Sequence, residues 1–205
     1  MLNFAGPQFM RNRHQHRTLH MAQIRQRVMN MPAQSLSAEE EHDLLHMREE
    51  EKIARDVYLQ LGERWELQPF VNISGAEQAH MDAIAVLLEN YGLPDPAQDL
   101  VVGQFRNPEF KSLFTRLVEM GHRSELAAIK VGLLIEELDL YDLAEARART
   151  RQPEIIAVYE DLERGSRNHL RAFFRHMQRY EGEYVPQYLS LSDFEAIAWS
   201  QHEVC

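Results

Sequence analysis

Near residue 50, an acidic side chain interrupts the apolar stripe of a long helical stretch. Leu44, Met47, Glu51, Ala54 and Tyr58 recur at alternating spacings of three and four residues. Such spacing places all five side chains on one face of a helix. An ionised carboxylate on a buried face loses its hydration, so it requires a cation, a hydrogen-bond donor or a proton. Glu51 is therefore a candidate metal ligand, with a hydrogen-bond donor or a bound proton as the alternatives.

A second candidate pair of ligands is formed by Glu77 and His80, which are three residues apart. This spacing places a carboxylate and an imidazole one turn apart on the same helix face, where both can reach one ion. In the alternative interpretation, Glu77 closes a capping box with Ser74 and His80 is an ordinary half-buried histidine.

Two later stretches carry polar residues at positions where a helix would bury them. Glu136 and Asp139 interrupt the strongly apolar segment 131–140, and His169 lies on the apolar stripe of residues 155–173. An ion pair with an arginine is the alternative explanation for the acids. Oxygen and imidazole ligands from separate helices suit iron or manganese better than a metal that prefers thiolates.

His42 and His46 are four residues apart with an acid after the first, which superficially matches a zinc-protease pattern. Asp43 is one methylene shorter than the glutamate of that pattern, and no third ligand is evident. The pair is therefore predicted to lie on a solvated helix face. Glu49 and Glu50 are also predicted to face solvent.

Four long helices must bring these candidate ligands together. Ser37 and Glu40 have the spacing of a capping box, which predicts the start of the first helix. Residues 63–73 are predicted to be a turn-rich connection. The long helices are predicted at residues 38–61, 77–91, 124–148 and 153–180, with shorter ones at 108–120 and 189–199. Short links within each pair and a long crossover that carries helix 108–120 predict an all-α four-helix bundle.

Composition describes a globular protein of 205 residues, with 44% hydrophobic and 26% charged residues. Residues 1–38 hold five arginines and no acid; subtracting this +5 from the net charge of −10 leaves −15 on the remainder, which disfavours nucleic-acid binding. Cys205 is the single cysteine, which excludes an intrachain disulfide framework.

No export signal or membrane span is predicted, and a cytoplasmic location is expected. The predicted domains are a basic, flexible tail (1–36), the bundle (37–181) and a C-terminal segment with a short helix (182–205).

These residues resemble the rubrerythrin-like branch of the ferritin-like superfamily, whose first helix has a Glu-x-x-Ala-Arg-x-x-Tyr motif. More narrowly, the chain resembles a prokaryotic group of ferritin-like proteins, a domain of unknown function. The matching residues of the superfamily motifs are Glu51, Ala54, Arg55, Tyr58, Glu77, His80, Glu136 and Asp139. The narrower resemblance rests on residues 49–58, 77–81 and 166–173.

The resemblance implies a ferritin-like bundle with two iron ions, or manganese as the alternative, and ferroxidase or peroxidase chemistry with oxygen or peroxide. It implies metal ligation by Glu51, Glu77, His80, Glu136 and His169, with Asp139 near them and with Glu77 and Glu136 as bridges. It also implies that Tyr58 and Arg55 support the ligands. The superfamily places a glutamate where this chain has Ser166, and Glu163 or Asp139 is a candidate for the missing oxygen.

The predicted partners are metal ions, a small oxidant and a separate electron donor, because the four-cysteine rubredoxin module of rubrerythrins is absent from this sequence. The superfamily is compatible with a homodimer. Two alternatives stay open. One is a non-catalytic metal-binding or interaction protein with an incomplete site, and the other is a metal-free bundle whose inward acids pair with arginines.

Overall fold

The fold is built from helices alone in the parts of the chain that the computed structural model describes, which are residues 7–31 and 34–204. The prediction of an all-helical fold is confirmed. Within these ranges, no helix combines the length and apolar composition that crossing a bilayer requires. The helices are α1 (Pro7–Met29), α2 (Ala38–Trp65), α3 (Gln68–Tyr91), α4 (Pro108–Gly121), α5 (Glu125–Arg149), α6 (Pro153–Gln178) and α7 (Leu191–Ala198).

Helix α2 begins at the predicted capping box. The Glu40 backbone N–H donates to Ser37 Oγ at 3.2 Å, and the Ser37 N–H donates to Glu40 Oε2 at 2.9 Å. These bonds satisfy two of the donors that a helix start leaves free.

The connection between α2 and α3 is shorter than the predicted loop at 63–73. Only Glu66 and Leu67 separate the helices, and Glu66 adopts a left-handed conformation with φ 53°. Pro69 lies in the first turn of α3, where its missing N–H leaves no intrahelical bond unmade. A two-residue link requires α3 to run antiparallel to α2.

Helices α2, α3, α5 and α6 pack around a common interior, with α2 against α3 and α5, and α6 against the same two helices. Tyr58 contacts Glu136 near the middle of α5, whereas Asp43, earlier in α2, contacts Arg149 at the end of α5. Helices α2 and α5 are therefore antiparallel, and α3 and α5 run in the same direction. Residues 92–124, which include α4, must then cross from one end of the four helices to the other.

This crossover is fastened to α2 by a buried ion pair. Lys52 Nζ donates to Asp56 and, at 2.9 Å, to the carbonyl oxygen of Val101. The Gly103 backbone N–H donates to Asp56 Oδ2 at 2.9 Å, and Nζ lies 4.6 Å from the centre of the Phe105 ring. Both charged side chains are fully buried.

Replacing Asp56 by alanine is expected to lower the free energy of unfolding by about 3 kcal/mol, because the Lys52 ammonium would lose its buried counter-charge. Urea denaturation followed by circular dichroism measures the change. Glu89→Gln, which breaks the half-exposed ion pair with Arg25, is the control and should leave the midpoint nearly unchanged. Equal losses in the two variants would contradict the role given to burial.

Helix α1 lies in the segment predicted from the sequence to be a flexible tail. It packs mainly on α3 and also touches α6. His20 Nε2 lies 2.5 Å from Asp161, and Arg25 donates to Glu89 at 2.6 and 2.8 Å. Val28 is buried among residues of the four-helix core. Apolar contacts and ion pairs with acidic residues therefore hold α1 together against α3 and α6.

The C-terminal segment contains the expected short helix, α7, which packs against α6. The buried Glu137 carboxylate accepts backbone N–H bonds from Gln187 and Leu189, each at 3.1 Å to its nearest oxygen. Glu203 accepts from Arg167 and Arg171, at 2.6 Å in each case. These polar contacts hold residues 182–204 against α5 and α6.

Candidate metal centre

Six side chains from α2, α3, α5 and α6 form one group, called here the inner cluster. It contains Glu51, Glu77, His80, Glu136, Asp139 and His169. All are buried except His80, whose side chain is 12% exposed. The fold thus brings together every residue predicted from the sequence to be a metal ligand.

Glu77 lies at the centre of the inner cluster, between its two imidazoles. Its Oε2 is 2.9 Å from His80 Nδ1, and its Oε1 is 2.9 Å from His169 Nδ1. His80 Nδ1 also lies 3.2 Å from Glu51, and His169 Nδ1 lies 3.5 Å from Glu136. The two rings stack with their centroids 5.4 Å apart. One carboxylate therefore touches both imidazoles, and each imidazole touches a second carboxylate.

Several buried ligand atoms of the inner cluster have no hydrogen-bond partner among the described residues. They are Glu51 Oε1, Glu77 Oε1, Asp139 Oδ1 and His169 Nδ1. Glu77 Oε1 and His169 Nδ1 are close together, yet their geometry is not that of a hydrogen bond. Each unsatisfied buried polar atom costs about 1–3 kcal/mol, and a charged one more. The ligand atoms that Glu77, His80 and His169 offer all lie within 4.8 Å of one another, so this donor set fits a metal ion.

Tyr58 and Ser166 orient two of the carboxylates. The Tyr58 hydroxyl donates to Glu136 Oε1 at 2.6 Å, and the fully buried Ser166 hydroxyl donates to Asp139 Oδ2. Oδ1 of Asp139 remains without a partner. Glu163 and Asp139 are the two candidates for the carboxylate oxygen that the chain lacks at Ser166. Asp139 has an oxygen atom available for a metal ion.

Glu163 and Arg55 are not brought into the inner cluster. Glu163 Oε1 accepts from Arg147 at 2.7 Å, so its charge already has a partner. Arg55 donates to Asp56 at 2.7 Å and to Gln78 at 2.6 Å. Arg55 is predicted to support the metal ligands, but these hydrogen bonds go to residues outside the inner cluster.

The alternative interpretations of Glu77 and Glu136 do not match the structure. Helix α3 begins at Gln68, so Glu77 lies in the helix interior and is not part of a cap with Ser74. Glu136 has Tyr58 and His169 as its closest polar contacts, in place of an arginine.

The close packing of acids and imidazoles shifts their pKa values strongly. Burial alone would lower the pKa of His169, but the charges of Glu77 and Glu136 raise it to about 10. The same balance between burial and carboxylates raises the pKa of His80 well above its usual value. Burial and the charge of Glu77 raise the pKa of Glu136 to about 7. Without a cation, the inner cluster therefore retains protons that a metal ion would have to displace.

A cleft of about 560 Å³ between α1, α3 and α6 reaches the inner cluster from its imidazole side. His80 and His169 line it, as do Arg164 and Gly165. A Cβ atom at Gly165 would collide with His80 Nε2, so glycine leaves the room that this ring occupies. Small molecules have a path to the cluster through this cleft.

The glutamates next to Glu51 differ from their predicted exposure. Glu49 and Glu50 are each only 6% exposed, because the crossover and α5 cover this part of α2. Glu49 Oε1 accepts from the backbone N–H groups of Arg106 and Asn107, at 2.9 and 3.3 Å. It thereby anchors the chain just before α4.

The fold and the inner cluster define an all-helical protein with a candidate metal centre of carboxylates and imidazoles. The chain belongs to the family described as an uncharacterized protein domain (DUF2202), whose sequence profile matches residues 40–201. This range contains the whole inner cluster. A relative, the uncharacterized protein MJ0754 of Methanocaldococcus jannaschii, is 48% identical over 176 residues, which are 86% of this chain and 95% of the relative.

The fold is also similar to a crystal structure, that of the hypothetical protein MJ0754 from Methanococcus jannaschii DSM 2661. The TM-score is 0.83 at 49% sequence identity, and the match covers 85% of this chain and 99% of the other. The similarity therefore extends over nearly the whole length of that protein.

Proposed function

We propose that this chain is a ferritin-like four-helix bundle protein that holds two iron ions in the inner cluster and reacts with oxygen or peroxide. The order of the long helices, with one long crossover between two antiparallel pairs, supports assignment to the ferritin-like class. The observation that carries the proposal is the set of buried, unpartnered atoms on Glu51, Glu77, Asp139 and His169, which come from four different helices.

Charge balance supports two ions over one. When ionised, the carboxylates of Glu51, Glu77, Glu136 and Asp139 carry four negative charges in a buried space. Two divalent cations would neutralise them, whereas one would leave an excess that is expensive to bury. Oxygen and imidazole donors without thiolates suit iron, with manganese as the alternative.

Ligand roles follow from the contacts. Glu77 touches both imidazoles, so it would help to hold both ions, whereas Glu136 touches His169 and would serve the same ion as that ring; the resemblance implies that Glu136 would reach the other ion as well. Glu51 lies beside His80 and would serve the same ion as that ring. The hydrogen bond from Ser166 would leave the free oxygen of Asp139 to contribute on the other side of the cluster.

Two bound iron ions would together supply the electron pair that the reduction of oxygen or peroxide requires. Tyr58 would hold Glu136 in place and keep its own proton at neutral pH, since burial and Glu136 raise the pKa of this phenol well above its usual value. The cleft beside His80 and His169 would admit a small oxidant. Re-reduction would depend on a separate electron donor.

Anaerobic loading with ferrous iron, followed by peroxide or oxygen, tests the proposal. About two iron ions per chain are expected, together with a change in absorption and peroxide loss that is at least ~10-fold faster than in His80→Ala. His122→Ala, which alters an exposed histidine outside the cluster, is the matched control. An iron ratio near zero, or equal peroxide loss in the wild type and His80→Ala, would overturn the proposal.

A non-catalytic metal-binding protein is the second candidate function. The presence of Ser166 in place of the second glutamate favours it, because Ser166 ties one oxygen of Asp139 and leaves the donor set one carboxylate smaller. Tight, stoichiometric iron binding without any absorption change on adding oxygen or peroxide would support this candidate, whereas rapid oxidation would exclude it.

A further inference from the structure

A second group of potential ligands lies between α2 and α5 and is called here the outer cluster. It consists of His46, Glu50 and Asp142, whose ligand atoms all lie within 4.8 Å of one another. His46 and Glu50 are one turn apart on α2, with Nε2 and Oε2 separated by 3.7 Å. Asp142 comes from α5, one turn beyond Asp139. Two helices thus bring one imidazole and two carboxylates to the same point.

Glu50 points a buried and unpartnered oxygen into this group. The residue is only 6% exposed, and its Oε2 has no hydrogen-bond partner in the described ranges. Arg149 lines the same cleft, but it donates to both carboxylate oxygens of Asp43, at 2.9 and 3.0 Å. This guanidinium is therefore paired with a different carboxylate, and among the described residues no lysine or arginine pairs with Glu50 or Asp142.

The crossover holds the imidazole of the outer cluster in place. Phe110 of α4 packs on the His46 ring, with the ring centroids 4.8 Å apart. A cleft of about 520 Å³ lined by His42, His46 and Asp142 opens the cluster to solvent. An ion and its water ligands can therefore reach these side chains without passing through the inner cluster.

We propose that the outer cluster is a separate site for a divalent transition-metal cation, bound by His46 Nε2 and by one carboxylate oxygen each from Glu50 and Asp142. Three protein ligands of this kind leave further coordination positions for water, as in open zinc sites. Zinc, manganese and ferrous ions all accept this mixture of imidazole and carboxylate donors. The site rests on its own residues and does not require iron in the inner cluster.

Zinc is the probe that tests the proposal in crystals of the full chain. Diffraction data from crystals grown with Zn²⁺, recorded on both sides of the zinc absorption edge, should show an anomalous peak about 2.0–2.1 Å from His46 Nε2. Peaks confined to the inner cluster would overturn the proposal. A peak at the outer cluster with none at the inner cluster would support the outer site. That result would count only against the proposed function of the inner cluster.

Solution binding of Co²⁺ separates a metal site from a pair of carboxyl groups that share a proton. His46→Ala should weaken one class of bound ion by at least ~100-fold, since ligand loss exceeds the 10–100-fold effect of losing a supporting contact. His42 lines the same cleft but does not belong to the outer cluster, so the control variant His42→Ala should bind Co²⁺ like the wild type. Asp142→Asn, which keeps the shape of the side chain, should reproduce the loss. Unchanged binding in Asp142→Asn with a native circular dichroism spectrum, or equal losses in His42→Ala and His46→Ala, would overturn the proposal.

Discussion

Glu77→Gln is expected to abolish tight iron binding at the inner cluster, with a fall in affinity of at least ~100-fold. Glu77 is the carboxylate in contact with both His80 and His169, so its replacement removes one ligand from each proposed ion. Glutamine retains the size and one oxygen of glutamate but lacks its charge. The three remaining carboxylates would carry three negative charges, too few to neutralise two divalent cations. The more weakly bound of the two ions should be lost first.

Anaerobic equilibrium dialysis against ferrous iron measures this loss as ions bound per chain. Asp82→Asn, on the exposed side of α3, makes the same chemical change outside the cluster and should bind like the wild type. Circular dichroism and the urea midpoint of the metal-free variants show whether Glu77→Gln still folds. Full iron binding by a folded Glu77→Gln variant would contradict the proposal that this carboxylate helps to hold both ions.

Glu51, Glu136 and His169 of the inner cluster could be predicted because each lies on the apolar stripe of a long helix, whereas Glu77 and His80 were indicated by their spacing of three residues. The repeat of 3.6 residues determines which side chains share a face, and Glu51, Glu136 and His169 each occupy a position that an apolar residue would otherwise fill. Four such faces must meet in a four-helix arrangement. The sequence pattern therefore contains both the helices and their inward polar residues.

The partners of the surrounding polar residues could not be predicted in this way. Arg55 and Glu163 have long side chains that reach several neighbours, and their partners depend on how the helices are rotated and offset. Ser166 could be recognised as a departure from the resemblance, but its bond to Asp139 depends on the packing of α5 against α6. Side-chain pairing between helices is a property of tertiary packing, which periodicity along one helix does not contain.

Burial of Glu49 and Glu50 depends on a second layer of structure. Three consecutive residues cannot all face the interior of the four helices, so the pattern predicts that two of them face solvent. The crossover then covers part of the outer side of α2 and supplies backbone N–H donors to Glu49. Helix α1 was not predicted, because arginine, glutamine and histidine dominate its sequence and its apolar stripe is short. That stripe, Met21, Ile24 and Val28, packs on the four-helix core, and contacts such as His20 with Asp161 add to it.

The metal-free protein is expected to lose stability as the pH rises from about 5 to about 8, by roughly 1 kcal/mol per pH unit. The pKa of Glu136 is raised to about 7 from 4.5, so the folded state keeps a proton that the unfolded chain has released between these values. The pKa of His169 is raised to about 10 from 6.5, which continues the same effect at higher pH. Raising the pH therefore favours the unfolded chain from 4.5 to about 7 through Glu136, and from 6.5 to about 10 through His169.

Glu77 has the opposite linkage, because its two histidine neighbours lower its pKa well below the usual 4.5. Its stabilising contribution is complete above pH 4.5 and is lost as the pH falls further. Burial also lowers the pKa values of His20, His46 and His176, which favours folding as the pH rises toward 6.5. The maximum stability of the metal-free protein is therefore expected on the acidic side of neutrality.

Bound metal should reverse the slope above that maximum, because ligation displaces the protons of the inner cluster and becomes stronger as the pH rises. Urea denaturation from about pH 5 to about pH 8, with a chelator or with saturating Mn²⁺, compares the two states. Glu136→Gln removes one titrating carboxyl and should flatten the metal-free curve between about pH 5 and pH 7. Parallel curves with and without Mn²⁺ would mean that the ion does not replace these protons, and the inner cluster would then be a network of ion pairs that carries no metal.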